Sequence, residues 1–245
     1  MPSINTNYGA AVALQSLNKT SQQLDTTQNR ISTGMKVSSA KDNGAIFAIA
    51  TSQRATAASQ DAVRAGLQRT QSITDVALAA GDSVTSALEE MKSLAVNIAS
   101  STGSAQTAYL ADYNALGTEI ASAISGATFD GVNSLTALGS NAAITAVNTG
   151  SITAANATTA NVDAAIAATT SALATLGTQS KSLGRQITFV NKLQDALEAG
   201  VGNLVDADLA KESAKLTALQ TKQQLGVQAL SIANQGSSIL LGLFR

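Results

Sequence analysis

The stretch ITDVALAAGDSVTSALEEMKSLAVNI, from Ile73 to Ile98, decides the fold. Ile73, Ala77, Ala80, Val84, Ala87, Met91, Leu94 and Ile98 alternate four and three residues apart. A helix with 3.6 residues per turn gathers such positions into one seam. Sustained alternation is the mark of helices that wind side by side. The helical pattern starts near Ala45 and runs to about Ser100. A helix of about fifty residues would be roughly 75 Å long, which predicts a coiled coil or rod rather than an ordinary globular helix.

Toward the N-terminus, Ala10, Leu14, Leu17, Ser21, Leu24, Gln28 and Ile31 repeat the alternation in a narrow stripe among Gln, Thr, Asn and Ser. An amphipathic helix of any bundle carries the same pattern, so this stripe alone leaves both readings open. Ser32 to Gly34 break it, and Ser38 to Gly44 read as a polar connector.

Toward the C-terminus, Ala105 to Ser125 fit a helix with Leu110, Leu116, Ile120 and Ile124 on one side. From Gly131 to Val162 no residue is charged, and Ile144, Val147 and Ile152 are scattered among Ser, Thr, Asn, Gly and Ala. That composition fits short strands or a hairpin joined by turns, and equally a low-complexity loop. The sharp turn signal is Asp130-Gly131 after Thr128-Phe129. Helix resumes near Val162, with Leu183, Val190, Leu197 and Leu204 seven apart. The last helix places Leu225, Ala229, Ile232, Gly236, Ile239 and Leu243 on one stripe. Gly226, Gly236 and Gly242 each cost about 1 kcal/mol relative to Ala, so this helix depends on packing partners. The predicted fold is mainly α: a long helical coiled-coil hairpin rod with a small central β-hairpin region.

Composition removes most chemistry. The 245 residues include no Cys, His or Trp, one Pro and 3% aromatics, with a formal net charge of −1. Disulfides, thiol nucleophiles and His-based catalysis or metal ligation are excluded. Small Ala-rich side chains favour thin, close helix packing. Glu89-Glu90 face different sides of a helix, and Asp206 with Asp208 reads as a polar helix start. Neither a phosphate loop nor calcium-loop spacing is present. Arg54, Arg64 and Arg69 are accompanied by Asp61 and Asp75, a solvated face rather than a nucleic-acid stripe. We expect no enzyme activity, no catalytic, cofactor or metal site, and no nucleic-acid or membrane partner. The first charged side chain is Lys19, which leaves no cationic start for a secretory signal. Gln223 to Phe244 are uncharged, yet their Gln and Asn residues argue against a membrane span.

Several ordered motifs resemble the bacterial flagellins. They are Ser3-Ile4-Asn5-Thr6-Asn7, Ile31-Ser32-Thr33-Gly34, Ser39-Ala40-Lys41-Asp42-Asn43, Ala48-Ile49-Ala50 and Leu94-Ala95-Val96. Thr128-Phe129-Asp130-Gly131 is similar to the family's T-F-N-G turn, with Asp for Asn. Asp206 to Glu212 and Ala233-Asn234-Gln235 resemble its C-terminal pattern.

The resemblance implies a structural subunit of the flagellar filament, short in its variable middle. It implies three parts: residues 1–40 and 206–245 as two halves of an inner terminal-helix domain, and 41–205 as a rod with its β-hairpin or loop segment at about 127–161. The end stripes are too apolar for water and too weak to hold alone, so Leu14, Leu17, Leu24, Ile31, Leu225, Ile232, Ile239 and Leu243 are expected to pack subunits together, with the ends disordered or partly helical in the free subunit and folding on incorporation. Small residues Ala77, Ala80 and Ala87 would let neighbouring protofilaments slide. The implied partners are other flagellin copies, the export apparatus and its chaperone, the filament cap and the hook-junction proteins, in an extracellular filament. Glu89, Glu90, Met91 and Lys92 match the motif that an innate receptor reads in enteric members. Glu90 there replaces the leading arginine, which reverses a charge and implies weak activation. The alternatives are a hook–filament junction protein and a chemoreceptor-like signalling rod. The second is disfavoured because the middle of this chain is its least helical part.

Overall fold

The computed structural model describes the backbone of residues 7–243 and the side chains of residues 7–235. Helices α1 (Tyr8–Thr33), α2 (Gly44–Ser100) and α3 (Gly103–Gly126) precede strands β1 (Thr128–Phe129) and β2 (Val132–Asn133). Helices α4 (Thr136–Gly139), α5 (Ala142–Asn148), α6 (Thr159–Val205) and α7 (Leu209–Leu243) follow. The mainly helical class and the small central hairpin are as expected. The strands, however, end at Asn133, and 136–148 forms two short helices. Asn141 caps α5 by accepting from the Ala143 N–H at 2.9 Å, and Ile144 and Val147 anchor it with no exposed surface.

Two compact units emerge: residues 1–58 with 194–245, and residues 59–193. In the second unit Ala77, Val84, Met91 and Ile98, spaced by seven, are 0–1% exposed, and Leu88 and Ala95 widen the stripe. Here α2 and α6 run antiparallel. Asp75 accepts from Ser180, Gly81 abuts Leu173, and Lys92 pairs with Asp163 at 2.6 Å. Tyr113, Ile120 and Ile124 of α3 and Leu138, Ile144, Val147 and Ile152 of the central segment complete the core. The scattered apolar residues of that segment are therefore core contacts.

Polar side chains tie the central segment down. The Asn114 amide donates to the Ile152 carbonyl at 3.1 Å and accepts from the Ile152 N–H at 2.7 Å, much as a neighbouring strand would. Asn133 donates to the Ile124 carbonyl at 2.6 Å and accepts from the Leu135 N–H at 2.8 Å. Asp130 and Gly131 have φ of 50° and 75°, the paired positive angles of a two-residue hairpin turn, and Arg69 holds the Asp130 carboxylate at 2.5 Å. Buried Thr74 and Thr169 satisfy their hydroxyls on carbonyls four residues back.

In the first unit, α1 packs antiparallel on α7. Gly34, with φ 70°, ends α1 in the left-handed conformation, and the chain then pairs with the segment before α7. Lys36 and Val37 donate to the Val205 carbonyl, Ala207 donates to the Gly34 carbonyl, and Met35 bridges Asp206. Val37, Ala50, Val201 and Val205 form a small core beneath this joint.

Candidate assembly surface

The helix pair of the first unit is built by local caps. Asn7 caps α1, accepting from the Ala10 N–H at 3.0 Å and donating to the Ala233 carbonyl at 2.8 Å on α7. Asp208 caps α7 through the Lys211 N–H at 3.1 Å, as its reading as a helix start anticipates. Asn43 caps α2 through the Ile46 N–H, and Asp42 accepts from the N–H and hydroxyl of both Ser38 and Ser39. These hydrogen bonds, led by the Ser38 hydroxyl, hold the Asp42 carboxyl below its usual value. The motif Ser39 to Asn43 is thus a turn lock followed by a helix cap.

The seam between α1 and α7 keeps Ala10, Leu17, Leu24 and Ile31 of the first apolar stripe but leaves out Leu225, Ala229 and Ile232 of the last. On α1 the covered positions are Ala10, Ala13, Leu17, Thr20, Ser21, Leu24, Thr27, Arg30 and Ile31. On α7 they are Glu212, Leu216, Leu219, Gln223, Gly226, Leu230 and Ala233. Thr20 and Thr27 are 2% and 0% exposed, while Leu14 is 49% exposed. Gly226 lets α7 approach Leu17; an added Cβ would lie 3.3 Å from Leu17 Cδ1. The physical reason is size. The Thr20 hydroxyl returns to the Ser16 carbonyl at 2.9 Å, the Thr27 hydroxyl is buried without a hydrogen-bond partner, and small residues admit a close partner.

The consequence is apolar surface left outside the seam, on the far side of α7 from α1 and on the flanks of both helices. Leu225 and Ile232 are 60% and 69% exposed, and Tyr8, Val12, Leu14 and Val227 are also largely uncovered. Among the sequence-derived packing residues, Leu24 is buried, and Leu17 and Ile31 are half-buried in the seam. Leu14, Leu225 and Ile232 face out, and Ile239 and Leu243 lie outside the described side chains. α1 and α7 already pair within one chain, so what remains uncovered is the apolar surface outside that seam. Spacing of apolar residues does not mark the Thr and Gly positions of the seam; only the partner helix does.

Of the receptor-motif positions, Glu89, Glu90 and Lys92 are exposed and Met91 is fully buried. Ala77 and Ala87 are 0% and 8% exposed inside their own unit, so they are not available for sliding against a neighbour. Among the described residues no cluster of acidic side chains could hold a metal, and no helix is long and apolar enough to cross a membrane.

These features describe a mainly helical protein whose α1–α7 pair leaves apolar side chains uncovered. The profile described as bacterial flagellin N-terminal helical region matches residues 4–139, and that described as bacterial flagellin C-terminal helical region matches residues 159–244. Flagellin FljK of Caulobacter vibrioides is 51% identical over 99% of this chain and 98% of its own length. A flagellin of Brucella melitensis is 34% identical over 100% of both chains. Flagellin A of Rhizobium meliloti is 58% identical over 34% of this chain and 21% of its own. The chain belongs to the bacterial flagellin family, whose members are structural proteins rather than enzymes.

Proposed function

We propose that this chain polymerises into the extracellular filament of the bacterial flagellum and serves swimming motility as a structural subunit. The observation that carries this reading is the outward apolar face of the α1–α7 pair. The pair is closed internally, yet Leu14, Leu225 and Ile232 remain in water. Covering one such side chain stabilises a contact by about 2 kcal/mol. A contact in which different faces meet and the rotation does not close gives an open helix of copies. Leu14, Leu225, Ile232, Ile239 and Leu243 then pack between subunits, while Leu17, Leu24 and Ile31 hold each subunit's own pair.

On the same reading the subunit passes to the flagellar export apparatus from its chaperone and joins the growing end beneath the cap, beyond the hook-junction proteins. A chain without Cys unfolds for passage without any bond to reduce. Glu90 in place of the receptor motif's arginine makes activation of the innate receptor weak. Receptor-reporter cells exposed to purified protein test that point, and potent signalling contradicts it.

Electron microscopy of purified chain added to sheared filament seeds tests the function. Elongation of the seeds is expected. A chain that stays monomeric at concentrations of hundreds of micromolar would refute the reading.

A further inference from the structure

Charge in the second unit is separated along the α2–α6 pair. Asp75, Asp82 and Glu89 stand seven apart on α2, all exposed. On α6 Lys181, Arg185 and Lys192 are exposed, and Arg185 and Lys192 are also seven apart. The antiparallel register set by Asp75–Ser180, Gly81–Leu173 and Lys92–Asp163 puts the acidic row beside residues 164–180 of α6. That segment of α6 contains no charged residue. The basic block begins at Lys181, just past that register. The two blocks therefore follow one another along the pair and do not neutralise each other.

Internal pairing leaves them uncompensated. The ion pairs of this unit are Arg64–Asp61, Arg69–Asp130 and Lys92–Asp163. Among the described residues Asp82, Glu89, Lys181, Arg185 and Lys192 form none. The chain as a whole carries a formal net charge of only −1, so the feature is a separation of charge rather than an excess.

We propose that the basic block of α6 in one copy docks on the acidic row of α2 in the next, a charge latch between subunits. This rests on the filament reading and names a second contact for it, distinct from the apolar face of the first unit. In an open polymer all copies point the same way, so α2 of one copy meets α6 of another antiparallel, as within a chain. Setting Arg185 against Glu89 then sets Lys192 against Asp82, because both rows repeat at seven residues, about 10.5 Å. Phe189, 65% exposed between Arg185 and Lys192 in sequence, adds an apolar contact at the centre of the block. The two faces differ, so each copy offers one and receives the other, and the contact propagates as an open helix where the rotation between copies does not close. Complementary rows of this kind fix register and exclude wrong alignments more than they add raw affinity.

The test is charge exchange in the full-length chain, read as the monomer concentration left after seeded polymerisation. Arg185→Glu alone and Glu89→Arg alone should each raise that concentration at least about tenfold, because each sets like charges together. The double exchange should return it to within about threefold of the unmodified chain. Circular dichroism confirms that each variant is folded; Arg185→Gln serves as a milder substitute if Arg185→Glu is not. A double variant no better than the singles, or singles that elongate seeds normally, would overturn the latch. Failure of the unmodified chain to elongate seeds would instead count against the filament reading on which the latch rests.

Discussion

Arg30 Nη1 lies 3.1 Å from Glu212 Oε1, an ion pair that joins residues 182 apart and clamps the end of α1 to the start of α7. The two side chains are 29% and 13% exposed, and Lys215 approaches the other oxygen of Glu212 at 3.7 Å. Burial works against the charge on Glu212, but the Arg30 hydrogen bond and the charges of Lys215 and Arg30 outweigh it and hold the carboxyl below its usual value. A carboxyl depressed in the folded state stabilises the fold above its unfolded pKa, and that contribution is lost as pH falls through the folded value. The protection of α1 and α7 amides, taken relative to their intrinsic exchange rates, should therefore fall on acidification below the ordinary glutamate range. Glu212→Gln should flatten that dependence, and an unaltered acid profile in the variant would contradict the assignment.

Glycines at close approaches should differ in tolerance according to what they face. A Cβ on Gly117 would stand 2.6 Å from the Val147 carbonyl oxygen, which belongs to backbone, whereas one on Gly81 would meet the movable end of Leu173. Gly117→Ala should cost about 1–3 kcal/mol in chemical denaturation. Gly81→Ala should cost less, since Leu173 can turn aside. Equal losses at both sites would show that the helices, rather than the side chain, must move.

Asn114 carries the loop after α5. Replacing it with Ala strands the Ile152 N–H and carbonyl, at a cost of about 1–3 kcal/mol. Amide exchange should accelerate chiefly between residues 149 and 158, and a change spread evenly over the unit would contradict this local role.

Tyr113 is fully buried with a hydroxyl that has no hydrogen-bond partner, and burial pushes its pKa up to about 12. A folded value above the unfolded one means stability that is complete below the unfolded pKa and is lost as pH rises toward about 12. Tyr113→Phe should leave neutral-pH stability unchanged or raise it by up to about 1 kcal/mol, and should blunt alkaline unfolding. A marked loss at neutral pH would reveal a partner for the hydroxyl.

The seam from Ile73 to Ile98 was legible because large apolar residues repeat there with the helical period, and all eight positions turn out covered or half-covered. The Asp130-Gly131 turn was legible because Asp-Gly suits positive φ at both positions, one of the two turns that close a two-residue hairpin. The helices at 136–148 were not, since Ser, Thr, Asn and Ala without charge describe a loop as well as a helix. At the ends, the apolar stripe shows the internal seam on α1 through Leu17, Leu24 and Ile31 but not on α7. Thr20, Thr27 and Gly226 line the contact, and the larger residues Leu14, Leu225 and Ile232 point away from it. A helix with two usable faces shows in its sequence the greasier one, and on α7 that is the outer face.

That outer face is tested most directly by Leu225→Ser together with Ile232→Ser in the full-length chain, with seeded polymerisation followed by sedimentation. Both side chains are mostly in water in the single chain, so the helix content of the monomer should not change. The monomer concentration at which seeds elongate should rise by about a hundredfold or more, given about 2 kcal/mol for each lost burial. Seeds that elongate at the original concentration would contradict the claim that neighbouring copies cover this face.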